Sequence, residues 1–268
     1  MRREGKKSTG KKMLNRRDFL KLSGGAVVTA VAAGLLAACG QGEDRGRLLS
    51  RPSPLPTAPS PPTGLRPLGL EGSAGRDGLL YVPAGYDAAR PSPLAVMLHG
   101  AGGDARGGLS PFLGLADEAG LVLLAPESRG RTWDVLGGNA LMGGYGPDVE
   151  FIDRALRETF NSLAVDAERL VVAGFSDGAS YALSLGLTNG DLFTHVVAFS
   201  PGFSAPAERR GKPPVFVSHG TADEVLPIDR TSRQIVPRLE REGYEVLYRE
   251  FDGPHTVPKP VAREALDW

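Results

Sequence analysis

The segment Gly174-Phe175-Ser176-Asp177-Gly178 has the residue types and spacing of a nucleophile elbow, G-x-S-x-G. It follows the apolar run Leu170–Ala173 and precedes a stretch of helical character. We therefore expect Ser176 on a tight turn between a strand and a helix, flanked by glycines because the turn has no room for side chains. The chemistry that this pattern predicts is attack of a serine hydroxyl on a carbonyl carbon.

A serine hydroxyl needs a general base, and the chain has four histidines. His255 follows Gly253-Pro254 in a predicted loop between the last strand and the last helix, and it is the expected base. His99 is assigned to the loop that carries an oxyanion donor. His195 and His219 flank predicted strands, and we expect structural roles for them.

The expected acid is Asp223, which comes just after the penultimate predicted strand. The chain order is then Ser, Asp, His, as in serine hydrolases with a nucleophile elbow. A carboxylate at this place can accept the Nδ1–H of the imidazole and fix its tautomer. Glu224 and Asp252 are the alternatives that the sequence leaves open.

Two backbone N–H groups are expected to form an oxyanion hole, those of Ala101 and Asp177. Ala101 lies in the glycine-rich stretch His99–Asp104, in which glycines allow close approach of a substrate. No Lys-Ser/Thr pair of a phosphate-binding loop follows this stretch, so nucleotide binding is not indicated. The only cysteine is Cys39, which excludes a cysteine-ligated metal site and an internal disulfide.

Short apolar runs alternate with helical patterns, which predicts an α/β domain with a mostly parallel sheet and helices on both faces. The predicted strands are Leu79–Val82, Leu94–Leu98, Leu121–Leu124, Leu170–Ala173, His195–Phe199, Val215–Ser218 and Tyr244–Phe251. The predicted helices are Ser110–Ala119, Pro147–Asn161, Gly178–Thr188, Asp229–Glu242 and Val257–Trp268, with a kink expected at Pro237.

Four segments together resemble the phospholipase/carboxylesterase family of α/β hydrolases, which includes acyl-protein thioesterases. They are Leu98-His99-Gly100, Gly174-Phe175-Ser176, Ser218–Asp223 with Pro227, and Gly253-Pro254-His255. The resemblance covers about Leu94 to Trp268. It implies an α/β-hydrolase fold with a minimal lid, hydrolysis of carboxylic or thiol esters, and no metal or organic cofactor. Esterases similar to polyhydroxyalkanoate depolymerases, a serine peptidase of the same fold and a non-catalytic surface-binding lipoprotein remain open.

The sequence departs from that family at one position, because Asp177 stands where the family often has glutamine. A carboxylate beside His255 would favour the imidazolium form of the base.

The stretch Pro126–Gly146 has no clear periodicity, and a loop of this length in a compact domain usually has a function. We expect it to line the substrate pocket with Trp133 and Tyr145, or alternatively to pack Trp133 into the core.

The N-terminal residues are typical of an export signal. Arg16-Arg17 precedes the apolar run Leu22–Ala38, and together they resemble a twin-arginine signal. Leu36–Gly40 resembles the lipobox of bacterial lipoproteins, with Cys39 as the lipidated residue, and Met13 is an alternative start. We expect a signal over 1–38, a proline-rich linker over 39–72 and a catalytic domain over 73–268.

The formal net charge is zero, but nine basic and two acidic residues fall within positions 1–21. The remaining positions hold 22 basic and 29 acidic residues, a formal charge of −7, and no basic stripe suited to a phosphate backbone. The expected partners are therefore a small-molecule ester and, through the lipid anchor, a membrane of the cell envelope, but not nucleic acid. The sequence does not determine the oligomeric state.

Overall fold

The computed structural model describes residues 46–53, 55–71, 75–134 and 145–268. Within them, eight strands form one sheet in the order β1-β2-β4-β3-β5-β6-β7-β8. The strands are β1 Gly64–Pro67, β2 Gly78–Val82, β3 Ser92–Leu98, β4 Val122–Pro126, β5 Val165–Phe175, β6 His195–Phe199, β7 Val215–Gly220 and β8 Val246–Phe251. The helices are α1 Ala105–Leu109, α2 Ala116–Ala119, α3 Pro147–Ser162, α4 Asp177–Thr188, α5 Ser232–Arg241 and α6 Lys259–Asp267.

The sheet is parallel from β4 through β8 and antiparallel only at the β1–β2 and β2–β4 pairs. Every residue of β4 and of β7 is buried, because helices cover both faces. This confirms the predicted fold class, an α/β-hydrolase fold. None of the helices in the described ranges is both long and apolar enough to span a lipid bilayer.

The core lies in two layers, one on each face of the sheet. One layer contains residues of α3, α4 and α5, among them Ile152, Leu183 and Leu239. The other contains residues of α1, α2 and α6, among them Leu109 and Ala262. The carboxyl ends of the parallel strands therefore remain uncovered by these helices, and it is at this edge that ligands bind in open α/β sheets.

The described residues before position 73, where the sequence suggested a boundary, belong to the same compact unit as the sheet. Leu48 is fully buried, and its N–H donates to Oδ1 of Asn189 over 2.8 Å. The Asp153 carboxylate accepts the N–H groups of Leu49 and Ser50. The extended backbone of this segment thus finds fixed partners on α3 and α4, which is why it is not a free linker. The expected signal and Cys39 lie outside the described residues.

The helix predicted over Ser110–Ala119 is wrong in its extent. The structure has α1 before it, a single 3₁₀ turn at Leu113–Leu115, and α2 at its end. The Asp104 side chain accepts the N–H of Gly107 and so starts α1 earlier than expected. Glycine is a poor helix former, and Gly120 at φ 60° ends α2.

Candidate active site

Ser176 lies on the turn between β5 and α4, at φ 58° and ψ −121°, a backbone conformation that L-residues rarely adopt. Its N–H donates to the carbonyl of Phe199 over 2.9 Å, which holds the turn against β6. The flanking glycines are required by space: a Cβ on Gly174 would lie 2.2 Å from the Gly178 carbonyl oxygen, and one on Gly178 would lie 2.1 Å from that of Leu98. The strained turn therefore depends on close backbone packing on three sides.

His255 lies in the loop between β8 and α6 and connects the other two predicted residues. Its Nε2 lies 2.9 Å from Oγ of Ser176, and its Nδ1 lies 2.5 Å from Oδ2 of Asp223. The Phe175 ring packs against the imidazole with centroids 4.6 Å apart. In this array Nε2 can take the proton of the hydroxyl while Nδ1–H donates to the carboxylate.

Asp223 is buried, and its carboxylate accepts from donors on both oxygens. Oδ1 accepts the backbone N–H groups of Val225 and Leu226 over 2.9 and 2.8 Å. Oδ2 faces His255 and also lies 3.1 Å from Nε2 of His219. Burial opposes ionisation, but the hydrogen bonds from the Leu226 N–H and from His255 outweigh it, and the pKa of Asp223 lies below its ordinary value. The acid therefore remains ionised at neutral pH.

The two alternative acids do not take part in this array. Glu224 and Asp252 are both exposed, and neither makes a hydrogen bond or ion pair with His255 in the described structure. Glu224 follows Asp223 directly, but the turn that buries Asp223 directs the next side chain to solvent. Of the three carboxylates that the sequence considered, the structure thus brings Asp223, the expected acid, to His255.

None of the other three histidines forms a hydrogen bond with Ser176 in the described part of the chain. His195 packs edge-on against Trp268, with ring centroids 5.3 Å apart. His219 was expected to be structural, yet it contacts Asp223 directly. No local sequence pattern indicates this contact, which depends on the turn in which Asp223 accepts the N–H groups of Val225 and Leu226.

The loop after β3 passes beside the serine, as expected for an oxyanion donor. A Cβ built on Gly100 would lie 3.4 Å from Cβ of Ser176. The carbonyl oxygen of Gly100 accepts the N–H of Gly103 over 3.0 Å and lies 2.7 Å from Nδ1 of His99. In a planar trans peptide the next N–H points the opposite way, so the N–H of Ala101 is directed away from these two groups.

The tautomer of His99 follows from its neighbours. Its Nε2 accepts the N–H of Ser128 over 3.1 Å and lies 3.2 Å from Nη2 of Arg76, which can only donate. The proton must therefore be on Nδ1, which donates to Gly100. Burial lowers the pKa of His99, and the Arg76 charge lowers it further, so this neutral form persists.

Asp177 is the first residue of α4, and the first N–H groups of a helix have no partner within it. The N–H of Asp177, which directly follows Ser176, is one of these. The side chain does not reach the base: its carboxylate accepts the hydroxyl of Thr132 over 2.8 Å, and no hydrogen bond or ion pair joins it to His255 in the described structure. The expected influence of this carboxylate on the imidazole therefore has no contact to support it.

Trp133 and Tyr145 are held by contacts within the fold. Trp133 is fully buried, stacks on Tyr181 at 5.0 Å and donates its indole N–H to the carbonyl of His99 over 2.8 Å. This is the core position that the sequence left as the alternative. The Tyr145 hydroxyl donates to the Ala205 carbonyl.

Tyr145 lies along the later turns of α4. Burial raises its pKa to about 12, while hydrogen bonding with Thr188 and Ser184 acts in the opposite direction. Ser184 and Thr188 follow Ser176 by 8 and 12 positions, which correspond to about 12 and 18 Å along a helix. The Tyr145 ring also packs on Tyr181, with ring centroids 6.0 Å apart. Both predicted pocket residues therefore hold the loop against the core.

Comparisons with known proteins agree with the fold. A family described as Phospholipase/Carboxylesterase matches residues 149–253, which include Ser176 and Asp223. Feruloyl esterase C of Emericella nidulans is 28% identical over 188 residues, 66% of this chain and 67% of that protein. The crystal structure of esterase PE8 matches with a TM-score of 0.56 and 25% identity, covering 71% of this chain and 95% of PE8. A thermostable esterase matches with a TM-score of 0.60 and 23% identity, covering 71% and 57%.

The chain spans 57–67% of the length of the first curated relatives that it matches. The fold is that of the α/β hydrolases. The curated relatives and the structures that the chain resembles are named esterases.

Proposed function

We propose that this protein hydrolyses carboxylic esters through an acyl-enzyme formed on Ser176. One observation carries the proposal: a single imidazole, that of His255, lies within hydrogen-bond reach of both the Ser176 hydroxyl and the Asp223 carboxylate. A general base must first be close enough to take the proton, and this one is. The elbow and the similarity to named esterases give independent support.

In the first half-reaction, Oγ of Ser176 attacks the ester carbonyl carbon while its proton passes to Nε2 of His255. The carbonyl oxygen becomes an oxyanion, which the N–H groups of Ala101 and Asp177 stabilise. The imidazolium then gives its proton to the leaving alcohol as the C–O bond breaks, and an acyl-serine remains. Asp223 accepts from Nδ1 throughout and stabilises the imidazolium without itself being protonated.

In the second half-reaction, water replaces the alcohol. His255 takes one proton from the water, the hydroxide oxygen attacks the acyl carbon, and the second oxyanion forms in the same place. When that intermediate collapses, the proton returns from Nε2 to Oγ of Ser176, and the carboxylic acid leaves. A thiol ester would follow the same steps with a thiol as the leaving group.

Several curated relatives are named feruloyl esterases, which makes esters of aromatic acids a natural first choice of substrate. We therefore propose methyl ferulate alongside p-nitrophenyl esters of increasing acyl length. A peptide substrate belongs in the same panel, because a serine peptidase of this fold would use the same array. Turnover of the peptide without turnover of any ester would reject the esterase proposal.

The experiment that tests catalysis uses Ser176→Ala with Ser110→Ala as a matched control, since Ser110 is an exposed serine outside the array. We expect Ser176→Ala to lower kcat by about 10⁴-fold or more, and Ser110→Ala to leave it unchanged. A fluorophosphonate probe should label the wild type and Ser110→Ala, but not Ser176→Ala. Unlabelled wild type without ester turnover would favour a non-catalytic binding protein.

We further propose that the protein is exported and held to a membrane by lipid on Cys39. The order of the segments supports this: the paired arginines Arg16-Arg17 come first, the apolar run Leu22–Ala38 follows, and Cys39 comes directly after that run. Expression of the full chain should place the wild type in the membrane fraction and Cys39→Ser in the soluble fraction. Cys39→Ser protein that remains membrane-bound would reject the lipid anchor but leave the esterase proposal untouched.

A further inference from the structure

His219 is a fully buried histidine at the end of β7 that the steps above do not use. Its Nε2 lies 2.8 Å from the carbonyl oxygen of Leu226 and 3.1 Å from Oδ2 of Asp223. A carbonyl and a carboxylate can only accept, so Nε2 must carry the proton. Its Nδ1, 2.7 Å from Oγ of Ser232, is then the acceptor, and the Ser232 hydroxyl donates to it.

The turn Asp223–Leu226 is held at both ends by this one ring. Inside the turn, Oδ1 of Asp223 accepts the N–H groups of Val225 and Leu226. From outside, the Nε2–H of His219 reaches Oδ2 at the start of the turn and the Leu226 carbonyl at its end. The two oxygens of the carboxylate thus have four donors, which fixes the plane of the group.

Oδ2 of Asp223 is shared by two imidazoles with different surroundings. His255 approaches to 2.5 Å and is also in contact with Ser176. His219 is at 3.1 Å, and its second nitrogen is already bonded to Ser232 on α5, away from the serine nucleophile. Burial lowers the pKa of His219, although the hydrogen bond to the Leu226 carbonyl and the Asp223 charge act against this, so the ring stays neutral.

We propose that His219, oriented by Ser232, is a positioning residue that holds Oδ2 of Asp223 in line with Nδ1 of His255. This inference rests on the proposed esterase function, because it assigns a role in the same reaction. A second donor on Oδ2 prevents rotation of the carboxylate. It also makes that oxygen less basic, so the shared proton stays on His255 while the imidazolium forms. Ser232 serves by keeping the tautomer of His219 that donates from Nε2.

The first test compares His219→Leu with His219→Gln, because the amide of glutamine can place a donor near the position of Nε2. We expect His219→Leu to lower kcat about 10- to 100-fold with little change in KM. The alignment of Asp223 matters when positive charge develops on His255, not when substrate binds. His219→Gln should recover most of that loss. Equal kcat for His219→Leu and wild type would overturn the proposal, as would equal losses in the two variants when both are folded.

The second test uses Ser232, whose hydroxyl contacts Nδ1 of His219. Ser232→Ala removes the donor to Nδ1, and we expect kcat to fall about 3- to 10-fold, whereas Ser232→Thr keeps the hydroxyl and should stay within twofold of wild type. Because Ser232 is fully buried, the thermal midpoint of each variant is measured beside its kcat. A fall in the midpoint without a fall in kcat for Ser232→Ala would mean that the contact only stabilises the fold.

A spectroscopic readout separates this inference from the proposed function. The Nδ1 proton of His255, in its short hydrogen bond to Asp223, should give a low-field proton resonance in the resting protein. His219→Leu should shift or broaden this resonance, and His219→Gln should largely restore it, whether or not any ester is turned over. An unshifted resonance in His219→Leu would reject the positioning role. Wild type that neither turns over esters nor labels at Ser176 would reject only the proposed function.

Discussion

His99 donates from Nδ1 to the carbonyl oxygen of Gly100 over 2.7 Å, and this bond sets the plane of the peptide that precedes Ala101. The opposite tautomer would need an acceptor facing Nε2, but Nε2 faces only donors, the N–H of Ser128 and the guanidinium of Arg76. The direction of the Ala101 N–H is therefore coupled to the tautomer of His99.

His99→Ala should lower kcat about 10- to 100-fold, somewhat less than the loss of an oxyanion donor itself, because the loop can still sample the correct orientation. KM should change little, since the oxyanion forms after substrate binds. The matched control is His195→Ala, whose ring packs on Trp268 and not on the loop. Steady-state kinetics on one ester compares the two, and equal kcat values would contradict the role of His99.

Gly178→Ala should destabilise the protein strongly, because its Cβ would lie 2.1 Å from the carbonyl oxygen of Leu98, a backbone atom that cannot move aside. We expect a loss of about 3 kcal/mol or more in the free energy of unfolding. Gly114→Ala is the control: it has nothing within 4 Å of its Cβ and should change stability by at most about 0.5 kcal/mol. Urea denaturation followed by circular dichroism measures both, and equal midpoints would contradict the packing argument.

Ser176, Asp223 and His255 could be assigned from sequence because their signals are local. A glycine-flanked serine after an apolar run and a histidine in the last loop are each recognisable alone, and chain order relates them. The central strands were equally accessible, since strands buried on both faces are continuously apolar. These features need no knowledge of which distant residues meet.

The errors arose where tertiary contacts decide. Strand β1 has an alternating half-exposed pattern and ends at Pro67, so it did not stand out from the surrounding prolines. Trp133 was expected at a pocket because its loop has no periodicity, but the ring is buried against Tyr181 and its N–H finds the His99 carbonyl. The contact of His219 with Asp223 also depends on a turn that only the folded chain forms.

The buried carboxylate of Asp148 should make stability fall as pH rises. Burial is the main cause that raises its pKa to about 6, and the nearby charge of Asp134 adds to this, while the Arg129 N–H acts in the opposite direction. The folded protein thus binds this proton more tightly than the unfolded chain does. Its contribution is complete below about pH 4 and is lost as pH rises through about 6, amounting to about 3 kcal/mol.

The measurement is the free energy of unfolding of wild type and Asp148→Asn from pH 4.5 to 7.5. The stability of wild type relative to the variant should decrease over this range. Asp166→Asn is a control, because bonds from Arg169 and the Glu168 N–H lower the pKa of Asp166 below its ordinary value. Its stabilisation is complete above about pH 4 and is lost only at lower pH, so the difference between wild type and Asp166→Asn should stay constant from pH 4.5 to 7.5. A constant difference between wild type and Asp148→Asn would show that Asp148 has no raised pKa.

The attachment of residues 46–53 to the rest of the domain can be tested with two adjacent leucines. Leu48 is fully buried in the layer with α3 and α4, whereas Leu49 is 71% exposed. Leu48→Ala should lower the free energy of unfolding by about 2–5 kcal/mol through lost burial and the cavity that remains, and Leu49→Ala should change it by at most about 0.5 kcal/mol. If the segment were a free linker, both variants would match wild type.

Because Asn189 bonds to both Leu48 and Gly46, Asn189→Ala should also reduce stability and allow proteases to cleave within residues 46–53.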